Sequence, residues 1–147
     1  ARQALQLGEE GDAELHDVLE LETRMWVAIR AHAALLHKLQ GLPRSEPLPA
    51  GLARLEPGGA YQASLHAEWP ALRRCHRLSF AIAPLLADVS LDEALMRAES
   101  VEGRLRIGLG VIATRNARLA AELSVRSAIG GKSFDDDDEG GMPSATS

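Results

Sequence analysis

Residues 13–40, AELHDVLELETRMWVAIRAHAALLHKLQ, decide the fold. Counting from Leu15, the positions Leu15, Val18, Glu22, Met25, Ile29, His32, Leu36 and Leu39 follow alternating steps of three and four, the spacing that stacks side chains along one side of a helix. Only Glu22 and His32 interrupt the apolar character of that row. A second row, Leu19, Trp26 and Ala33, widens the stripe beyond what one partner helix covers, so the spacing predicts a helix inside a bundle and not a two-stranded coiled coil. Asp12 fits an N-cap, with Glu14, Asp17, Glu20 and Glu22 at the positive end of the helix dipole. His37 and Lys38 precede Gly41 and Pro43, which marks the far end. A helix of this size is about 40 Å long.

Working outward, residues 41–59 carry Gly41, Pro43, Pro47, Pro49, Gly51, Pro57, Gly58 and Gly59 and break the pattern; the more ordinary reading is one short helical turn over Gly51 to Leu55 that brings Leu52 and Leu55 onto the body, and the alternative is a mobile connection that orders on a partner. Helical spacing resumes over Ala60 to Val89. Tyr61, Leu65 and Trp69 form one row, and Leu72, Cys75, Ser79, Ile82, Leu86 and Val89 the next. Pro70 disfavours helix at Trp69 and opens a new one, and Pro84 predicts a bend. Ser90-Leu91-Asp92-Glu93 fits a capping box that starts a third region, whose row is Leu91, Ala94, Ala98, Val101, Leu105, Leu109, Ile112, Asn116, Leu119 and Leu123. Gly103, Gly108 and Gly110 each weaken helix by roughly 1 kcal/mol relative to alanine, which predicts a soft centre or two helices meeting near Gly108 to Gly110. From Gly130 the pattern stops and the acidic run Asp135 to Glu139 follows. The expected architecture is all-α: an antiparallel helical bundle over residues 1–129, with a long N-terminal helix, bent middle helices and a disordered acidic tail over 130–147.

Composition narrows the function. A chain of 147 residues with 46% hydrophobic and only 3% aromatic residues builds its core from Leu, Ala, Ile and Val. Cys75 is the single cysteine, which excludes an internal disulfide and a thiol zinc site and suits a reducing, cytoplasmic setting. No apolar run approaches the ~18 residues of a membrane span, and no charged-then-apolar leader opens the sequence. Of the net charge of −5, the last eighteen residues carry −4 (four Asp and one Glu against Lys132), so the body is nearly neutral and nucleic acid is a disfavoured partner.

Motifs for chemistry are missing. Gly131-Lys132-Ser133 has Arg126 where a phosphate loop needs its first glycine. Asp135 to Asp138 lack the spaced ligands of a calcium loop. None of His16, His32, His37, His66 and His76 has a glutamate three residues before it, which removes the di-iron bundle pattern. Cys75 and His76 are adjacent and therefore point about 100° apart on a helix, so Cys75 reads as a small buried hydrophobe and not a nucleophile. No nucleophile elbow occurs. The expectation is a non-enzymatic protein without cofactor or metal.

Glu102-Gly103-Arg104-Leu105, Arg115-Asn116-Ala117-Arg118-Leu119 and the tail from Phe134-Asp135 to Gly140, following a long Leu- and Glu-rich first helix, give the chain a likeness in outline to a known family. It resembles the FlgN-type export chaperones of the bacterial flagellum. The resemblance implies a cytoplasmic protein that keeps hook-associated filament-junction subunits unfolded and soluble before export. The amphipathic face at Ile112, Asn116, Leu119 and Leu123 would then take an apolar helix of the client into a groove. The alternative is a bundle whose stripe serves self-association in a larger assembly, the partner then being a second copy of the chain.

Overall fold

A computed structural model describes residues 2–41, 48–58 and 70–132. Five helices follow in order: α1 (Arg2–Gln40), α2 (Ala50–Ala53), α3 (Ala71–Leu86), α4 (Val89–Arg97) and α5 (Val101–Lys132), and no strand occurs among the described residues. The all-α bundle expected from the spacing is what forms. The row read from residues 13–40 is the buried side of α1: Val18, Glu22, Met25, Ile29 and His32 are buried, with Leu21 and Trp26 beside them, while Leu15, Leu36 and Leu39 at the two ends are half-buried. Helix α1 begins at Arg2, eleven residues before the Ala13 start that an Asp12 N-cap implied, so the acidic residues taken for its first turns lie well inside it. Gly8 and Gly11 lower helix propensity without forbidding helix, and extending an existing helix avoids the cost of a new nucleus. Gly41 ends α1 with φ +64°, a left-handed conformation that glycine adopts without a Cβ clash.

Pairings along the helices give their directions. Met25, His32 and Leu39 of α1 meet Gly108, Asn116 and Arg126 of α5 in that order, so the two long helices run parallel. Ser79, Ile82 and Leu86 of α3 meet Arg104, Gly108 and Arg115 of α5, again in parallel. Only α4 runs back against its neighbours, joining the top of α3 to the base of α5. The antiparallel arrangement therefore holds for the α3, α4 and α5 succession, while α1 and α5 point the same way. This explains the long Pro- and Gly-rich connection. Helix α3 starts beside Glu22, about eighteen residues or roughly 27 Å below the end of α1, and the chain must return that distance. On the way, Leu52 and Leu55 are buried as expected and Glu56 pairs with Arg30. The row Tyr61, Leu65 and Trp69 lies outside the described residues, as does the tail from 133 onward.

Two boundaries differ from the sequence reading. Helix α3 opens after Pro70 as expected, but Leu72 is exposed and the helix stops at Leu86, short of Val89. Pro84 sits in the last turn, and Ala87 takes the left-handed conformation at φ 50°. The amides of Ala87 and Asp88 then bond to Pro84 O and Ala83 O, the paired closure of a Schellman motif. Asp88, not Ser90, is the N-cap of α4, its carboxylate accepting from the Leu91 amide at 3.0 Å. The second break falls at 98–100, not at Gly108 to Gly110, because Ser100 Oγ accepts the Gly103 amide at 3.0 Å and starts α5 there. Helix α5 runs on through Gly103, Gly108, Gly110, Gly130 and Gly131 to Lys132. At Gly108 a Cβ would sit 3.2 Å from Met25 Cε and 3.5 Å from Ile82 Cγ1, so this residue marks the closest crossing of α1, α3 and α5.

Helix α5 also closes α1, α3 and α4. Arg104 Nη1 donates to Ala98 O at the end of α4, Arg115 Nη1 to Leu86 O at the end of α3, and Arg126 Nη1 to Leu39 O in the last turn of α1, at 3.1, 2.7 and 3.1 Å. The arginines are eleven residues apart, close to three turns, and share one stripe of α5. Each supplies a cation and a donor where helix carbonyls lack partners.

Candidate functional site

Helix α5 carries all four residues expected to bind a partner, and its packing on α1 divides them. Ile112 is fully buried in the core. Asn116 is tied to α1: its Nδ2 donates to Ala28 O at 3.0 Å, which leaves Oδ1 to accept from His32 Nδ1 at 3.0 Å. The two polar interruptions read on separate helices, His32 and Asn116, are thus one another's partners. A client helix would reach Ile112 and Asn116 only by displacing α1. Leu119 and Leu123 are half-buried and remain within a partner's reach.

The difference has a structural cause. Helix α3 ends at Leu86, level with Arg115, whereas α1 and α5 continue side by side, and no third helix accompanies them further among the described residues. This two-helix arm presents Leu36, Leu39, Leu119 and Leu123 half-covered, and Val125 and Ile129 stand 58% and 67% exposed. Arg126 fastens its two helices near the tip.

At the other end of the seam, Glu22 finds its charge partner in Arg74. Arg74 Nε and Nη2 donate to Glu22 Oε2 and Oε1, both at 2.7 Å, in a two-pronged pair nearly removed from water. The hydrogen bond to Glu22 raises the Arg74 pKa against the opposing effect of burial. Cys75, next in sequence, has its thiol pushed up to about 12, first by burial and then by the Glu22 charge, so it stays protonated and unreactive. The reading of Cys75 as a buried small hydrophobe stands, and His76 is turned away from it.

His76 belongs to a cluster that the sequence did not reveal. Arg104 is only 7% exposed, yet its described partners are all neutral: Nε donates to Ser79 Oγ at 3.0 Å, Nη1 to Ala98 O, and Nη2 to His76 Nδ1 at 3.1 Å. Its guanidinium carbon lies 4.5 Å from the centroid of the Phe80 ring. Nδ1 of His76 must be the bare nitrogen to accept that bond. His76 and Phe80 also line an open depression of about 590 Å³ together with Leu55, Arg73, Arg77 and Ala81. The spacing of Arg73, His76, Arg77 and Phe80 on one face of α3 was the available signal.

Among the described residues, His16, Asp17 and Glu20 form the grouping close enough to share an ion, and all three are exposed. No helix of the described chain is long and apolar enough to cross a membrane. Set against family models, curated proteins and solved structures, the chain matches none of them.

Proposed function

We propose that the protein is a non-enzymatic helical binding module whose two-helix arm receives an apolar helix from another protein. The observation that carries this reading is the end of α3 at Leu86, beyond which α1 and α5 run on with half-covered leucines. A bound helix would take up the position that α3 vacates and complete a three-helix packing on Leu36, Leu39, Leu119 and Leu123. The resemblance to FlgN-type chaperones makes the client a cytoplasmic export substrate kept from premature assembly. That resemblance motivates the choice of client, while the arm motivates the surface.

The test places a photo-crosslinking amino acid at Leu123 and, as control, at Thr114 on the outer side of α5, in cells of the source organism. An adduct with a different protein at Leu123 and not at Thr114 is the expected result. Adducts only between copies of the chain would replace this reading with the self-associating scaffold. No adduct at Leu123 above the control would sink both.

A further inference from the structure

We propose that the groove of the two-helix arm is occupied, until a client takes it, by the acidic start of α1 from a second copy of this chain. The inference rests on the reading that the groove receives a helix, and it adds what covers that groove in the client-free protein. The two ends of the molecule are incomplete in complementary ways. At one end, Met25 of α1 is level with Gly108 of α5, so Val101, the first residue of α5, is level with Val18. Helix α3 starts higher still, beside Glu22. Residues 2–17 of α1, roughly 24 Å of helix, therefore extend past the starts of α3 and α5, and Ala13, Glu14, His16 and Asp17 are exposed. At the other end, α5 continues from Asn116 to Lys132, again roughly 24 Å, with α1 beside it as far as Arg126 and no third helix among the described residues. The unaccompanied stretch and the groove match in length.

Charge selects the occupant. Glu9, Glu10, Asp12, Glu14, Asp17 and Glu20 make half of residues 9–20 acidic, and no lysine or arginine occurs between Arg2 and Arg24. Among the described residues Glu14 and Glu20 have no partner, and Asp17 has only His16 at 3.9 Å. The arm is the reverse. Its Glu122 is answered by Arg126, and Arg30 is answered by Glu56, while Lys38 and Arg118 are exposed and have no partner among the described residues. Uncompensated acids and uncompensated cations thus lie at opposite ends of one molecule. Counted back from Leu15 by threes and fours, the sequence continues the seam through Gly11, Leu7 and Ala4, a narrow apolar row between acids. Such a row suits Leu36, Leu39, Leu119 and Leu123, and carboxylates beside it suit Arg118 and Lys38. The stretch cannot reach its own arm, because Leu123 lies twenty-two residues of helix above Val101, roughly 33 Å, and α1 is one unbroken helix. Two copies side by side in opposite directions place each acidic stretch on the other's arm, a closed two-fold exchange, whereas parallel copies set acid against acid.

The experiment uses the purified full chain, with no other protein present and a photo-crosslinking amino acid at Leu123. Mass spectrometry is expected to join Leu123 to a peptide within residues 1–24 of another copy, and sedimentation velocity to show a dimer that weakens as salt rises. Glu14→Lys, Asp17→Lys and Glu20→Lys together should weaken dimerisation about tenfold or more, and adding Lys38→Glu and Arg118→Glu to that chain should restore it. Arg24→Glu with Arg97→Glu, the same charge change away from the arm, should not. Circular dichroism confirms that each variant is helical. A native chain that is monomeric at high micromolar concentration in low salt overturns the proposal. So do Leu123 adducts confined to other parts of the chain, and so does equal rescue by both double reversals, which would leave only attraction to overall charge. The client reading fails by a different result, the absence in cells of a Leu123 adduct with another protein, so the two failures are told apart.

Discussion

Helices α1 and α5 are neighbours from the level of Met25 to their far ends, but they live in two environments. Around Met25, Ile29, Leu105 and Ile112 they are enclosed by α3, and these side chains are fully buried. Past His32 and Asn116 no third helix accompanies the two among the described residues, and the same spacing of leucines yields half-burial. Equal periodicity therefore does not mean equal stabilisation. What separates the two regions is the length of α3, set by Pro84 and the left-handed Ala87.

The largest expected effect tests that contrast directly. Ile112→Ala should cost about 4 kcal/mol in denaturant unfolding, because it removes a buried branched side chain and leaves a cavity. Leu123→Ala on the arm should cost about 1 kcal/mol, since its leucine is partly in water already. Similar losses at both sites would erase the distinction, and hydrogen exchange faster at residues 117–130 than at 105–115 would sharpen it.

The buried pair comes next. Glu22→Ala alone should cost about 3 kcal/mol, because Arg74 is left charged without its partner. Glu22→Leu combined with Arg74→Leu should recover most of the loss, and a double-mutant cycle without coupling would refute the pairing. A smaller comparison sets Gly110 against Gly108. Gly110→Ala enters open space and should stabilise by about 1 kcal/mol, whereas Gly108→Ala presses on Met25 and Ile82 and should gain less or lose. Ala87→Gly should likewise stabilise by about 1 kcal/mol by relieving the left-handed conformation, as Gly41 already does at the end of α1.

The smallest effect is on pH. The Leu91 amide, followed by Arg115, holds the Asp88 carboxyl below its usual range. The unfolded chain then takes up that proton at higher pH than the folded one, so the stabilisation is present above the ordinary carboxylate range and disappears as pH falls through the lower folded value. Acid unfolding of Asp88→Asn should therefore depend less steeply on pH over that interval than the native protein does. An unchanged slope would remove the Arg115 and cap contribution.

Much of the fold was legible because α1 turns one side toward other helices along the row, whichever helices those are. Leu15 to Leu39 needed only periodicity. The partners of its polar positions were not legible, since Glu22 meets Arg74 and His32 meets Asn116 across long stretches of chain, and periodicity carries no information about which stripes meet. The end of α3 was hidden because alanine took the place where glycine is the usual signal. Asp88 was overlooked as a cap because Ser90 and Glu93 offered a motif with better sequence form. Gly108 looked like a weakness and is a contact, a distinction that only the positions of Met25 and Ile82 make. Of the expected site, Leu119 and Leu123 kept their accessibility, while Ile112 and Asn116 were claimed by the chain's own first helix.

The three arginines of α5 carry a consequence for how this chain tolerates insertions and deletions. One residue added between Arg104 and Arg126 turns everything beyond it by about 100° and advances it by about 1.5 Å, so at least one helix end loses its guanidinium. Length variation is thus confined to the connections and the tail, and α5 works as a ruler whose graduations fix where the other helices stop.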